Sequence, residues 1–367
     1  MRAFRTPPAR RGSFTLVELL VAITVLSFLI LIVTEVIDGT TKVIASSNKR
    51  QDADDQARMT LDRIGIDIVN VVRRADLDAV FPKQAGNDKL FFYSEAPAYF
   101  DSSNASLFPG ASASDPKNIL SLIGYHINSA YQLERLGIGL TWDGKATGSQ
   151  PGSAVYLSRL NGVLDPASTV AGNWPALVGS APEYSGTDAA SSSYWQVFST
   201  QVFRLETCFL LKDGTLSIVP VLNPAATTNN LGASAPPLVT SDSSAGYSTG
   251  SRWFDTAAQR GYVCVDNTKG AAVWNAIGTQ DLTAVVVAIA LLDDASRKIV
   301  TTSQLGAAVR ALPDAAASAL VATPPHLMKK TWQAIVQAPS FAAAAGLSPE
   351  AASRIRIYQR YFYLNAP

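Results

Sequence analysis

The chain has 367 residues, of which 47% are hydrophobic and 16% charged, with 30 lysines and arginines against 29 aspartates and glutamates. That composition excludes a disordered chain or one that coats nucleic acid, and the length allows one or two globular units. Two cysteines exclude a disulfide framework, and two histidines leave little material for a His-rich metal site.

Residues 1–13 form a basic leader, MRAFRTPPARRGS, with Arg2, Arg5, Arg10, Arg11 and no acid. Beyond it 26 bases face 29 acids, so a mildly acidic body follows a basic start. Residues 14–33, FTLVELLVAITVLSFLILIV, hold one ionisable side chain, Glu18. Their length matches the ~20 residues of a membrane-spanning helix. The preceding arginines and the following acids Glu35 and Asp38 orient that helix with its N-terminus in the cytoplasm and the rest of the chain exported. A secretory signal peptide is a poorer fit, because its apolar stretch runs ~7–15 residues and ends at a small-x-small cleavage site, for which only Ala45-Ser46-Ser47 offers a candidate. A plain signal-anchor is the other alternative. Glu18 speaks against both, since a carboxylate deep in an apolar helix costs roughly 2.5–3.5 kcal/mol and calls for a partner.

Ser13 followed by Phe14-Thr15-Leu16-Val17-Glu18-Leu19-Leu20 resembles, in order and register, the class III signal of type IV prepilins and pseudopilins. The resemblance implies that a prepilin peptidase cuts between Ser13 and Phe14 and methylates the new amine of Phe14. It also implies that Glu18, then fifth, attracts the N-terminal amine of a neighbouring pilin-like subunit, two costly charges becoming tolerable together. The usual residue before the cut is glycine, and here Gly12 is displaced by one. A cut after Gly12 would place Glu18 sixth, whereas the cut after Ser13 keeps the family register.

Residues 34–75 lack proline and repeat Ala57, Leu61, Ile64, Ile68 and Val72 at spacings of three and four, which predicts that the helix continues as a stalk with one apolar stripe. Its polar middle contains Asp52, Asp54 and Asp55, read as a solvated face rather than a cation site. Residues 76–367 read as an exported β-rich domain. Strands are predicted at 90–94, 121–128, 133–142 and 155–160, and Asp213-Gly214 marks a hairpin within 202–221. The run at 284–292 is too short to span a membrane and predicts a central buried strand, and 354–365 predicts the last strand. The stretches 101–116, 143–153, 178–193 and 222–252 read as long loops, and Ala-rich 303–352 as an insertion of two or three short helices. Antiparallel strands packed on the amphipathic half of the long helix give an α+β fold of pilin-like layout.

The order of these segments resembles the larger minor pseudopilins of type II secretion, the J type, the PilW-type minor pilins, and the family called Verru_Chthon cassette protein C. The chain is long for a major pilin. The resemblance implies a minor structural subunit of a type IV pilus or type II secretion-type fibre, a single-pass inner-membrane protein later carried into a pilus, a pseudopilus or the cell surface. The competing class is a membrane-anchored protein with a binding or catalytic ectodomain. Against an enzyme, no nucleophile elbow, phosphate loop or HExxH helix occurs, and no cofactor, metal or nucleic acid is expected. His126 and His326 have no ligand spacing around them, the six tryptophans look like core or edge residues, and Asn104-Ala105-Ser106 fits a glycosylation acceptor by pattern alone. Export allows Cys208 and Cys264 to form a disulfide, with buried free thiols as the alternative.

Overall fold

The structure, a computed structural model, describes residues 15–73, 79, 81–96, 98–99, 117–118, 121–139, 141–142, 156–157, 195–320 and 327–364. It divides into two units, one ending at Asp52 and one running from Ala53 to Pro367.

Helix α1, Leu16–Val69, is continuous across that division. In the first unit its segment Leu16–Thr41 is long and apolar enough to cross a membrane, and its side chains are exposed. Hydroxyls within it are satisfied by the helix itself. Ser27, Thr34, Thr40 and Thr41 each donate to the carbonyl four residues back at 2.7–2.8 Å, and Thr24 to Val21 three back. No hydroxyl proton in this apolar stretch therefore needs water.

In the second unit the predicted stripe is buried at Ala53, Ala57, Leu61, Ile64 and Ile68. Val72 departs from the expectation. Asn70 Nδ2 donates to the Ile66 carbonyl and takes over a helix-end acceptor, the flanking residues Val69, Val71 and Val72 are β-branched, and Val72 N instead bonds the Tyr93 carbonyl. The strands are β1 Leu90–Ser94, β2 Ala98–Tyr99, β3 Lys117–Asn118, β4 Ser121–Ile127, β5 Leu133–Gly139, β6 Thr141–Trp142, β7 Tyr156–Leu157, β8 Trp195–Ser199, β9 Val202–Leu211, β10 Leu216–Ser217, β11 Asn230–Ala233, β12 Arg252–Asp255, β13 Arg260–Asp266, β14 Val273–Ala276, β15 Leu282–Leu291 and β16 Arg356–Tyr363. Among the described residues the strands form three four-stranded sheets, in the orders β1-β4-β5-β8, β10-β9-β15-β16 and β11-β12-β13-β14, with the short pairs β2-β3 and β6-β7 beside them. All their pairings are antiparallel except β11 with β12.

The central strand β15 explains its own sequence. Val285, Val287, Ile289 and Leu291 face a cluster built with α1 and the first sheet, while Val286, Ala288, Ala290 and Leu292 face a helical layer. A strand covered on both faces reads as a continuous apolar run. The β9–β10 hairpin turns through Lys212-Asp213-Gly214, with Gly214 at φ 83° and Leu211 N bonding the Thr215 carbonyl at 2.9 Å. Only glycine adopts that backbone cheaply.

Between β15 and β16 lie helices α2 Asp294–Ile299, α3 Thr302–Ala311, α4 Ala317–Leu320, α5 Met328–Gln337, α6 Pro339–Ala345 and α7 Pro349–Ser353. Among the described residues the stretch 303–352 holds five of these, α3 to α7, more than the two or three expected, because proline opens α6 and α7 at their first turns and Gly346 ends α6 in a left-handed conformation. The stretch 222–252, read as a loop, is largely irregular, but it contributes β11 and the first residue of β12 to the third sheet. Tyr247, Trp253 and Trp274 pack there with centroids 5.4–5.9 Å apart, and the two indoles donate to the carbonyls of Ala235 and Ser241.

Candidate functional site

The predicted processing residues Ser13 and Phe14 lie outside the described residues, as do Gly12, Asn104 and His326. The N-terminal site therefore begins at Thr15 and α1. Glu18 closes a reciprocal cap with Thr15: Thr15 N and Oγ1 donate to Glu18 Oε2 at 2.9 and 3.1 Å, and Glu18 N donates to Thr15 Oγ1 at 3.3 Å. This is a capping box, and the spacing Thr-x-x-Glu signals it in the sequence. The acid consequently does two things. Its position at the positive end of the helix dipole and its two Thr15 donors make an otherwise costly carboxylate tolerable within its own chain. It also holds a negative charge beside the segment where processing would create a new amine.

Buried polar clusters hold the second unit together, and none was legible in the sequence. Asp67 on α1 accepts from Arg135 Nε at 2.7 Å and Nη2 at 3.0 Å, pairs with Arg63 at 3.2 Å, and takes the Tyr125 hydroxyl. Burial first, and then the Asp67 charge, push the Tyr125 phenol well above its ordinary pKa. His126 on β4 bonds Glu134 at 2.7 Å and stacks on Trp195 with ring centroids 4.0 Å apart. Burial pushes its imidazolium pKa down against the pull of Glu134. It is a buried structural histidine, in line with the sequence reading.

The third cluster covers the outer edge of β9. Lys83 Nζ lies 2.6 Å from Asp88 Oδ2 and 2.8 Å from Glu206 Oε1, and also donates to the Thr207 carbonyl. Asp88 Oδ2 accepts from Thr207 N at 2.7 Å and Oγ1 at 2.8 Å, while Asn87 Oδ1 accepts from Leu205 N. Side chains thus satisfy a sheet edge that would otherwise stand open. Arg204 joins Glu206 at 3.0 Å and Asp314 at 2.6 Å, and its guanidinium lies over Trp332.

Cys208 and Cys264 are both free and buried, which corrects the disulfide allowed by the sequence. The reason is placement. Cys208 sits in the cluster between β9 and the helical layer, whereas Cys264 lies on β13 of the third sheet, its Sγ directed at the Asp266 carbonyl at 3.3 Å. Burial pushes the Cys208 thiol up to about 12. The stalk acids Asp52, Asp54 and Asp55 are exposed, in line with a solvated face; at its rim Asp54 accepts from the Tyr358 hydroxyl and the exposed Asp62 pairs with Arg360 of β16. Among the described residues no group of His, Cys, Asp and Glu is arranged to hold a metal. Trp195 and Trp332 are buried, consistent with core residues.

Residues 8–34 match a family model described as the prokaryotic N-terminal methylation motif. No curated protein and no solved structure matches the chain. The chain thus carries a prepilin-type N-terminal motif on an apolar helix of membrane-spanning length.

Proposed function

We propose that this chain is a minor pilin-like or pseudopilin-like structural subunit, cut by a prepilin peptidase between Ser13 and Phe14, methylated on Phe14, and assembled with other pilin-like subunits through α1. The observation that carries the reading is the methylation motif over residues 8–34 with Glu18 inside its apolar segment. The basic leader supports a cytoplasmic N-terminus and an exported second unit. The length of the chain and its order of elements favour a minor role of the pseudopilin J or PilW kind, or the Verru_Chthon cassette protein C family, in a type IV pilus or type II secretion-type fibre. In this reading the exported unit has a structural role and catalyses nothing.

The test exploits the capping box. Glutamine retains a cap acceptor at this position without the charge, so Glu18→Gln separates helix capping from attraction of an amine. With the peptidase and fibre machinery co-expressed, both Glu18→Gln and Glu18→Leu should lose the leader at a rate close to wild type, read by the mass of the N-terminal peptide. Both should then accumulate in the membrane fraction at the expense of sheared fibres. Glu18→Gln entering fibres like the wild type would show that the charge has no assembly role, and an uncut leader would remove the prepilin reading altogether.

A further inference from the structure

Lys83, Asp88 and Glu206 meet in a cluster that assembly through α1 does not use. The side chains of Asp88 and Glu206 are 1% and 0% exposed, and the Lys83 nitrogen lies within 2.8 Å of both carboxylates. The loop that brings Lys83 to Asp88 is fastened at its base, with Lys89 N bonding the Pro82 carbonyl at 3.2 Å and Asp88 N the Leu205 carbonyl at 3.0 Å. Its turn passes through Gly86 at φ 96°.

We propose that Lys83 and Asp88 condense to an amide between Nζ and Cγ, releasing one water, with Glu206 relaying the proton. The ammonium first passes a proton to the Asp88 carboxylate it touches, leaving an amine and a carboxylic acid. The nitrogen lone pair then attacks Cγ and the C–N bond forms. Glu206 takes a proton from that nitrogen and returns it to the departing hydroxyl as the C–O bond breaks, so the carboxylate of Glu206 is regenerated and no other reactant is consumed. The oxygen that Lys83 touches, Asp88 Oδ2, takes both protons and leaves as water; Thr207 N and Oγ1, 2.7 and 2.8 Å from it, hold it in place, while Oδ1, with Gln84 N at 3.4 Å, stays as the amide oxygen.

Two physical effects favour the bond. Fixed neighbours react with effective concentrations far above those of free solutes. Condensation also removes two charges from a buried place where each is expensive. Burial, and then the charge of Asp88, raise Glu206 above the ordinary carboxylate range, which suits it to carry a proton. Burial also works against the Lys83 ammonium, but the two carboxylates outweigh it and hold its pKa above the ordinary value. The ion pair is therefore the resting state, and the amide accumulates slowly after folding.

Trypsin reads the outcome on the full chain extracted in detergent and held until its peptide masses stop changing. Cleavage after Arg74, Lys83 and Lys89 yields 75–83 and 84–89 from an unmodified chain. The amide blocks cleavage at Lys83 and should give a single peptide 75–89, lighter by one water. Full-mass peptides cut at Lys83 overturn the proposal. So does loss of water with Lys83 still cut, which marks an ordinary aspartyl succinimide. Glu206→Gln should leave Lys83 cut and at full mass, and cross-linking at the wild-type rate would remove Glu206 from the reaction. Should that variant fail to fold, Thr207→Val takes its place: slower accumulation supports the arrangement, and an unchanged rate removes the Thr207 hydroxyl from it.

Discussion

One missing methyl group lets the last strand lie against α1. A Cβ on Gly65 would stand 2.9 Å from Phe362 Cε1, closer than carbon atoms approach without something moving. Alanine at this position gains about 1 kcal/mol of helix propensity, but displacing a packed ring costs about 1–3 kcal/mol. Gly65→Ala should therefore destabilise the folded chain in urea unfolding, and Phe362→Leu in the same chain should recover part of the loss; simple additivity of the two would show that they do not touch. A second residue-scale expectation concerns alkali. Because the Tyr125 phenol is raised in the folded state, the fold keeps a proton that the unfolded chain gives up. Its contribution to stability is complete below about pH 10 and lost as the pH climbs beyond that. In ultraviolet titration Tyr125 should ionise only as the chain unfolds, and Tyr125→Phe should lose that late component alone; a phenol titrating near pH 10 in the folded protein would contradict the burial.

At the scale of elements, the segments legible in the sequence are those whose pattern is local. The α1 stripe, the β15 run and the Asp213-Gly214 turn each follow from neighbours a few residues apart, and Glu18 stood out because it interrupts an apolar run. The buried charges were invisible because their partners are remote: Glu206 lies 123 residues from Lys83, and Arg135 lies 68 from Asp67. The third sheet was missed for a different reason. Ser, Ala, Gly and Pro over 222–252 give no apolar period, and what orders them is an aromatic trio and side-chain bonds to the backbone. The Thr15–Glu18 cap, in contrast, is local, and the Thr-x-x-Glu spacing is its signal. The same motif starts α3, where Thr301 Oγ1 accepts from Gln304 N at 3.3 Å and Gln304 Oε1 accepts from Thr301 N at 2.9 Å. Thr301→Ala should cost about 1 kcal/mol in thermal or urea unfolding, and Thr301→Ser should cost little; equal losses would show that the hydroxyl is not what caps the helix.

At the scale of the whole molecule, the third sheet is inserted between two strands of the central one. Its own small core is Val221, Phe254 and Ile277. At its base Leu222 N bonds Asp281 Oδ2 at 3.0 Å, Arg252 Nε bonds the same oxygen at 2.9 Å, and Lys212 N bonds the Asp281 carbonyl at 3.0 Å. The chain therefore leaves and rejoins the central sheet at nearly one point. Loop closure depends only weakly on how many residues lie between two such points. Replacing 223–280 by a short glycine-serine bridge should leave β9, β15 and the helical layer folded, checked by cooperative unfolding of the shortened chain; loss of cooperativity would mean that the module supports the body. Where a segment can grow, shrink or be exchanged without opening the core beneath it, mutation can remodel the outer face of the protein while the helix and central sheet stay under separate constraint. Different versions of that surface can then be tried on an unchanged foundation.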